Sequence, residues 1–354
     1  MGRALGGNPR CLGVVISVEP EALAAHRLAG YLTGTHSGAH TLRSCRRVTR
    51  RAVVEQFQLL GPFREDIADT LALGGTCWEP GDDDERKLHA SLVECLETAS
   101  VIDLVLFGSL ARGTTTGYSD VDAMLVVADD VPTDGQRLAR LRPRILAAQR
   151  AVLAYQPMQH HGFLVVTPRL LLKGTAVLGL PVEVLTETRS LFGGPIDVGL
   201  DGPVSAASAF ARFDSLRRTL REMSSWPTHT WWLHRAVSMF ELAPALYLEA
   251  RGQPCPKHAS FEIARREFPH AWPAYDVLDE VRRTWIRQSS GLVRCGATLT
   301  RNPWTTVAAL RRIPIRPPHR VAELLSDAPP ANLKRVVSLM AARVGESYRE
   351  LARA

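Results

Sequence analysis

The sequence has no apolar run approaching the ~20 residues that would span a bilayer, so no membrane-spanning helix is expected. Arg3 and Arg10 stand near the N-terminus without a following apolar core or small-residue cleavage site, which argues against a signal peptide. Cysteine is sparse: Cys11, Cys45, Cys77, Cys95, Cys255 and Cys295 lie far apart and form no C-x-x-C pair. That spacing speaks against a zinc ribbon or a disulfide framework and suits a reducing, cytoplasmic setting. No internal repeat is visible, and no aromatic-basic RNA-binding motif. What is there is globular in kind: 354 residues, 45% of them apolar, enough for two or more domains.

The formal charge of +7 is unevenly spread. From Pro203 onward 23 Lys and Arg stand against 13 Asp and Glu, while the preceding residues hold 20 and 23. The C-terminal part is therefore the candidate for meeting a polyanion or an acidic partner. Solvated arginine faces on amphipathic helices account for the excess equally well.

Residues 1–80 carry no recognisable chemistry. Leu12–Val18 has the pattern of a strand and Pro20–Leu32 that of a helix, and Cys45–Arg51 is basic. Arg50–Leu60 and Phe63–Leu73 predict two short helices broken at Gly61-Pro62. The segment reads as an accessory domain, a partner-docking piece, or in part an incorrect start. Trp78–Asp84 marks a boundary, and its Asp run would cap a helix over Glu85–Ala99. Further on, Gly135–Tyr155 predicts a long helix bent near Pro143, Gly162–Val166 a strand, and Pro168–Val177 a helix opened by proline. Leu180–Leu185 predicts a fourth strand, at a sheet edge because of Pro181. Ser190–Gly202 reads as a linker, and helices dominate from Ala206 to the C-terminus.

The chemistry concentrates in Phe107-Gly108-Ser109-Leu110-Ala111-Arg112-Gly113 and Ser119-Asp120-Val121-Asp122. Val101–Phe107 is an apolar run of strand length that ends in a small-residue turn. Gly108 lets the backbone approach a ligand, Ser109 adds a hydroxyl, and a helix from about Leu110 would aim free N–H groups at an anion. Asp120 and Asp122 open the next strand-like run at i and i+2, which puts both carboxylates on one face. Phosphates with oxygen-only ligands suit Mg²⁺. Unpaired carboxylates on a buried-looking strand are costly without a ligand, so the combination points to function where either residue alone would not. His160-His161 shows no partner at ligand spacing and reads as surface or core. The Trp226–Trp232 cluster and Lys257, His258, Arg265 and Arg266 read as bundle core and a charged helix face.

Leu106–Val126 resembles the signature of the nucleotidyltransferase superfamily typified by DNA polymerase β, in the subgroup of minimal and kanamycin-type nucleotidyltransferases. The likeness extends over about residues 85–195. It implies an α+β fold: a small mixed β-sheet backed by helices over 81–200, followed by a mostly helical, acceptor-binding part over 203–354. It further implies a third carboxylate on a later strand. Glu183 is the candidate, with Asp197 and Glu187 as competitors. On this resemblance Asp120, Asp122 and Glu183 would hold two Mg²⁺ ions, with Mn²⁺ as a substitute, and Glu183 would act as base. Gly108, Ser109, Arg112 and Ser119 would bind the triphosphate. The implied reaction is transfer of a nucleoside monophosphate from a nucleoside triphosphate, ATP first, to a small-molecule, protein or RNA-end acceptor with loss of pyrophosphate. The rival expectations are a non-catalytic or toxin–antitoxin-type nucleotide-binding module, and an RNA-tailing enzyme.

Overall fold

A computed structural model of the chain describes residues 20–33, 49–60, 70–159, 161–174, 182–199, 206–285, 303–310 and 312–351. Its centre is β2 (Val101–Phe107) paired antiparallel with β3 (Asp122–Val127), in a register that sets Phe107 opposite Asp122. Helix α5 (Gly135–Tyr155) then carries the chain to β4 (Leu164–Val166), which joins β3 in parallel. The short β5 (Arg189–Ser190) closes the other side of β2, giving the order β4-β3-β2-β5. A mixed sheet of this kind, with helices packed on it and a helical region after it, is the expected α+β class.

The strands form because their apolar residues must be buried on both faces. Leu104, Leu106, Ala123, Leu125 and Val127 turn to one side and pack against α5 and α3 (Asp83–Leu96). The same core takes in Leu28 and Leu32 of α1 (Pro20–Thr33) and Val53 of α2 (Arg50–Leu59), so the first two helices are built into it. Val105, Phe107, Met124 and Val126 face the other way, under a ribbon of β1 (Thr70–Gly74) and β6 (Pro195–Gly199). Asp103 is the exception within β2: it is fully buried, and it accepts from the N–H groups of Leu104, Leu191 and Phe192 and from the Ser190 hydroxyl. Those bonds offset the cost of burying the charge and pin the turn after β5. Asp82 caps α3 by accepting from the Glu85 N–H at 2.7 Å, and Glu85 accepts from Gly81 in return.

Beyond the sheet, α7 (Ala206–Arg221), α8 (Thr230–Ala250), α9 (Lys257–Glu267), α10 (Pro273–Thr284), α11 (Pro303–Leu310), α12 (His319–Asp327) and α13 (Pro330–Leu351) follow. A second core of Phe213, Phe240, Tyr247, Tyr275, Trp285 and Met340 holds most of them together. No helix among the described residues is long and apolar enough to cross a membrane.

Several local expectations are overturned. Residues 70–73, expected in a helix, lie in β1, and the expected linker Ser190–Gly202 contains β6. Both result from the same cause: the two segments pair with each other across more than a hundred residues, and nothing local announces that pairing. The expected strand around Glu183 is instead a 3₁₀ turn, Val182–Leu185. The helix from Pro168 spans only Pro168–Leu171 (α6), and α12 was not expected. Leu12–Val18 and residues 45–48 lie outside the described residues.

Candidate functional site

Because β2 runs antiparallel to β3, the end of one strand and the start of the other meet at the same edge of the sheet. Gly108 follows β2 there and Asp122 begins β3. Gly108 has φ +71°, and a Cβ built on it would stand 2.7 Å from Oδ2 of Asp122. Glycine is required twice over, once by the left-handed backbone and once by the approach of the carboxylate. The following α4 (Gly108–Arg112) is a single turn ended by Gly113 at φ 67°. Gly113 and Thr114 donate back to Leu110 and Ser109, which turns the chain toward Asp120.

The loop carrying Asp120 is gripped from two sides. Gln156 is fully buried and donates through Nε2 to the carbonyls of Ser119 (2.7 Å) and Gly117 (3.1 Å). Gln159, also buried, accepts from the Val121 N–H at 2.9 Å and donates to the Val121 carbonyl at 3.0 Å. Asp120 is thus held between two amide clamps. On the other side the Tyr118 ring enters the helical core. Its hydroxyl donates to the His234 carbonyl at 2.8 Å and meets Ser238 Oγ, while the ring stacks on His234 with centroids 4.1 Å apart. His234 Nε2 lies 3.0 Å from the Tyr118 carbonyl oxygen.

His161 precedes β4, and its Nε2 lies 3.2 Å from Oδ1 of Asp122. Close packing disfavours a charged imidazole, but the hydrogen bond and the fields of Asp122 and Asp120 outweigh it and push its pKa up to about 9. Arg112 sits 3.6 Å from Glu187, beside the glycine turn. Glu183 lies in its 3₁₀ turn, and its field falls on Glu249 of α8 and on Cys255. Of the two competitors, Glu187 is the partner of Arg112 and Asp197 is an exposed residue of β6.

Residues 90–154 match the family model for the nucleotidyltransferase domain. This part of the chain is a nucleotidyltransferase domain. The match supports nucleotidyl transfer as its general chemistry, with a nucleoside triphosphate as substrate. A search of curated proteins finds no match for the chain.

The matched residues of the nucleotidyltransferase domain include Gly108, Ser109, Arg112, Ser119, Asp120 and Asp122; Gln156, Gln159, His161 and Glu183 lie outside them. Gly108 and Asp122 lie side by side, and the charges of Asp122 and Asp120 both act on His161. Ser119 serves a different neighbour: its hydroxyl accepts from the Thr116 N–H at 3.0 Å and closes the loop on itself. Asp120 and Asp122 carry oxygen donors only, and Asp122 lies beside the Gly108 turn, so the donor chemistry is of the kind that suits a divalent cation. Among the described residues no three His, Cys, Asp or Glu side chains are gathered into a ready-made cage. Gln156, Gln159 and His161 escaped sequence reasoning, since two glutamines and a histidine after a long helix carry no spacing signal. A small charged cavity of about 240 Å³ lies between Arg112 and the helical part, walled by Lys257, Phe261, Arg265 and Arg282. Lys257 and Arg282 are paired there with the buried Glu241.

Proposed function

We propose that the protein transfers a nucleoside monophosphate from a nucleoside triphosphate, ATP foremost, to a hydroxyl of an acceptor, releasing pyrophosphate. The observation that carries this reading is the close approach of Asp122 to Gly108, which sets one acid of the pair beside the glycine turn. In this reading the N–H groups of the first turn of α4, which have no partner within the helix, and the Ser109 hydroxyl hold phosphate oxygens, and Arg112 adds positive charge beside them. Asp120 and Asp122 would hold a divalent cation, which when bound supplies positive charge to the phosphoryl oxygens. The two glutamine clamps keep the Asp120 loop from shifting, and transfer is sensitive to displacements of an ångström. The acceptor hydroxyl attacks the α-phosphorus in line as pyrophosphate leaves. The C-terminal helices provide walls for the acceptor, and the cavity next to Arg112 is one place they do so.

The test is pyrophosphate release from labelled nucleoside triphosphates with Mg²⁺ and a panel of hydroxyl acceptors. Activity is expected with the native protein and should be lost in the double variant Asp120→Ala, Asp122→Ala. Undiminished release by that variant would sink the assignment.

A further inference from the structure

We propose that His161 is a cation ligand of the Asp120–Asp122 site, a nitrogen donor where the family resemblance calls for a third carboxylate. The proposal rests on the reading of Asp120 and Asp122 as a cation site and names a residue that reading does not include; the three side chains form no ready-made cage, and binding would draw them onto the cation.

The hydrogen bonds around His161 settle which ring nitrogen faces the carboxylate. Gln159 is oriented by the Val121 N–H, which can only donate and therefore meets Oε1. Both hydrogens of its Nε2 then go to carbonyls, those of Val121 at 3.0 Å and His161 at 3.1 Å. The His161 Nδ1 lies 3.1 Å from the Gly162 carbonyl oxygen, an atom that can only accept. Nδ1 therefore carries hydrogen and donates. In the neutral ring this leaves the lone pair on Nε2, which points at Asp122 Oδ1 from 3.2 Å. Two acceptors held face to face at that distance repel unless a positive charge lies between them. A proton is one solution and a metal cation is the other.

The arrangement also has the outer support of a metal-binding histidine. Such rings commonly donate their second N–H to a backbone carbonyl, which fixes tautomer and orientation. Here Gly162 accepts that bond, and Gln159 holds both the His161 carbonyl and the Val121 peptide between the two aspartates. Topology places the residue correctly as well. Strand β4 is the parallel neighbour of β3, so the residues leading into both strands lie at the same edge of the sheet. Glu183, by contrast, stands in a turn whose field reaches Glu249 and Cys255. One imidazole beside two carboxylates also changes the preferred cation. Oxygen-only sets suit Mg²⁺, and a nitrogen ligand shifts the balance toward later divalent metals, Mn²⁺ over Mg²⁺ among the two.

The experiment uses the full chain with Mn²⁺ alone, without nucleotide, and reads binding and nitrogen coupling by electron paramagnetic resonance. Expected for the native protein is bound Mn²⁺ with a ¹⁴N coupling, weakened at least about tenfold in Asp122→Asn. His161→Asp should keep Mn²⁺ bound, lose the nitrogen coupling, and move the Mn²⁺-over-Mg²⁺ preference toward Mg²⁺ by about tenfold. His161→Gln should lose the coupling as well, with weaker binding. Mn²⁺ binding that depends on Asp122 but shows no nitrogen coupling, or a coupling that survives His161→Asp, overturns the role of His161 and leaves the aspartate site standing. Native protein that binds no Mn²⁺, or binds it regardless of Asp122→Asn, overturns the cation site and this proposal together.

Discussion

At the residue scale, Gly108 decides most. Any other residue there must take a left-handed backbone at a cost of roughly 1–2 kcal/mol, and its Cβ must push Asp122 Oδ2 away from 2.7 Å. Gly108→Ala should therefore cost little more than that in stability while lowering transfer on the order of 100-fold, because the acid moves relative to the phosphates. Urea unfolding alongside pyrophosphate release separates the two effects. A variant with native turnover would show that the approach of Gly108 to Asp122 has no part in the reaction. Asp103 teaches the opposite lesson at the same scale. It too is a carboxylate on a buried strand, but four hydrogen bonds to protein groups satisfy it. Burial of an acid by itself is therefore no sign of a ligand, because the fold can supply the partners.

At the element scale, the loop from Gly113 to Val121 couples two cores that the sequence presents separately. Tyr118 belongs to the sheet half by position and to the helical core by packing. Tyr118→Phe removes the hydroxyl bonds to the His234 carbonyl and Ser238 and should cost about 0.5–1.5 kcal/mol. Tyr118→Ala adds a cavity and should cost about 3–5 kcal/mol. Circular dichroism under urea gives both numbers; equal losses for the two variants would mean that the ring contributes nothing by packing. The strand pair β1–β6 shows why sequence reading faltered at this scale. Leu71 and Leu73 pack toward the sheet, and so do Ile196 and Val198, yet each segment alone is five residues long. Five residues next to glycine and proline read as well for a turn or linker as for a strand. Only the partner decides.

At the scale of the whole molecule, buried charges tie helices together. Glu241 of α8 is fully buried and paired with Lys257 of α9 and Arg282 of α10. Glu241→Ala leaves two cations without their carboxylate and should destabilise by about 3–5 kcal/mol, seen as a lower urea midpoint. A loss under 1 kcal/mol would mean that water already compensates the pair. Glu249 supplies a pH dependence. Burial raises its carboxyl above the ordinary carboxylate range, Arg212 opposes this, and Glu183 adds to it. A group that holds its proton more tightly when folded contributes fully below the ordinary range, and that contribution fades as pH rises through the folded value. Glu249→Gln removes the term. The stability of this variant relative to the native protein should therefore climb between about pH 4 and pH 7. Equal differences at both pH values would contradict the raised carboxyl.

The sequence by itself determined the glycine turn, the paired aspartates and the helical C-terminal part, because each follows from local periodicity and residue chemistry; the α+β class came with the family resemblance that those motifs carry. It also foretold the Asp82 cap, which acts within four residues. Tertiary structure alone decided what stands beside the aspartates. His161, Gln156 and Gln159 reach the site because β4 lies parallel to β3 and because α5 ends behind the Asp120 loop, and neither fact is written in any short window of sequence. The apolar run Leu180–Leu185 around Glu183 is a signal for a strand. The chain made a 3₁₀ turn there instead, facing the helices. Local pattern fixes what a residue can do; the packing of distant segments fixes what it meets.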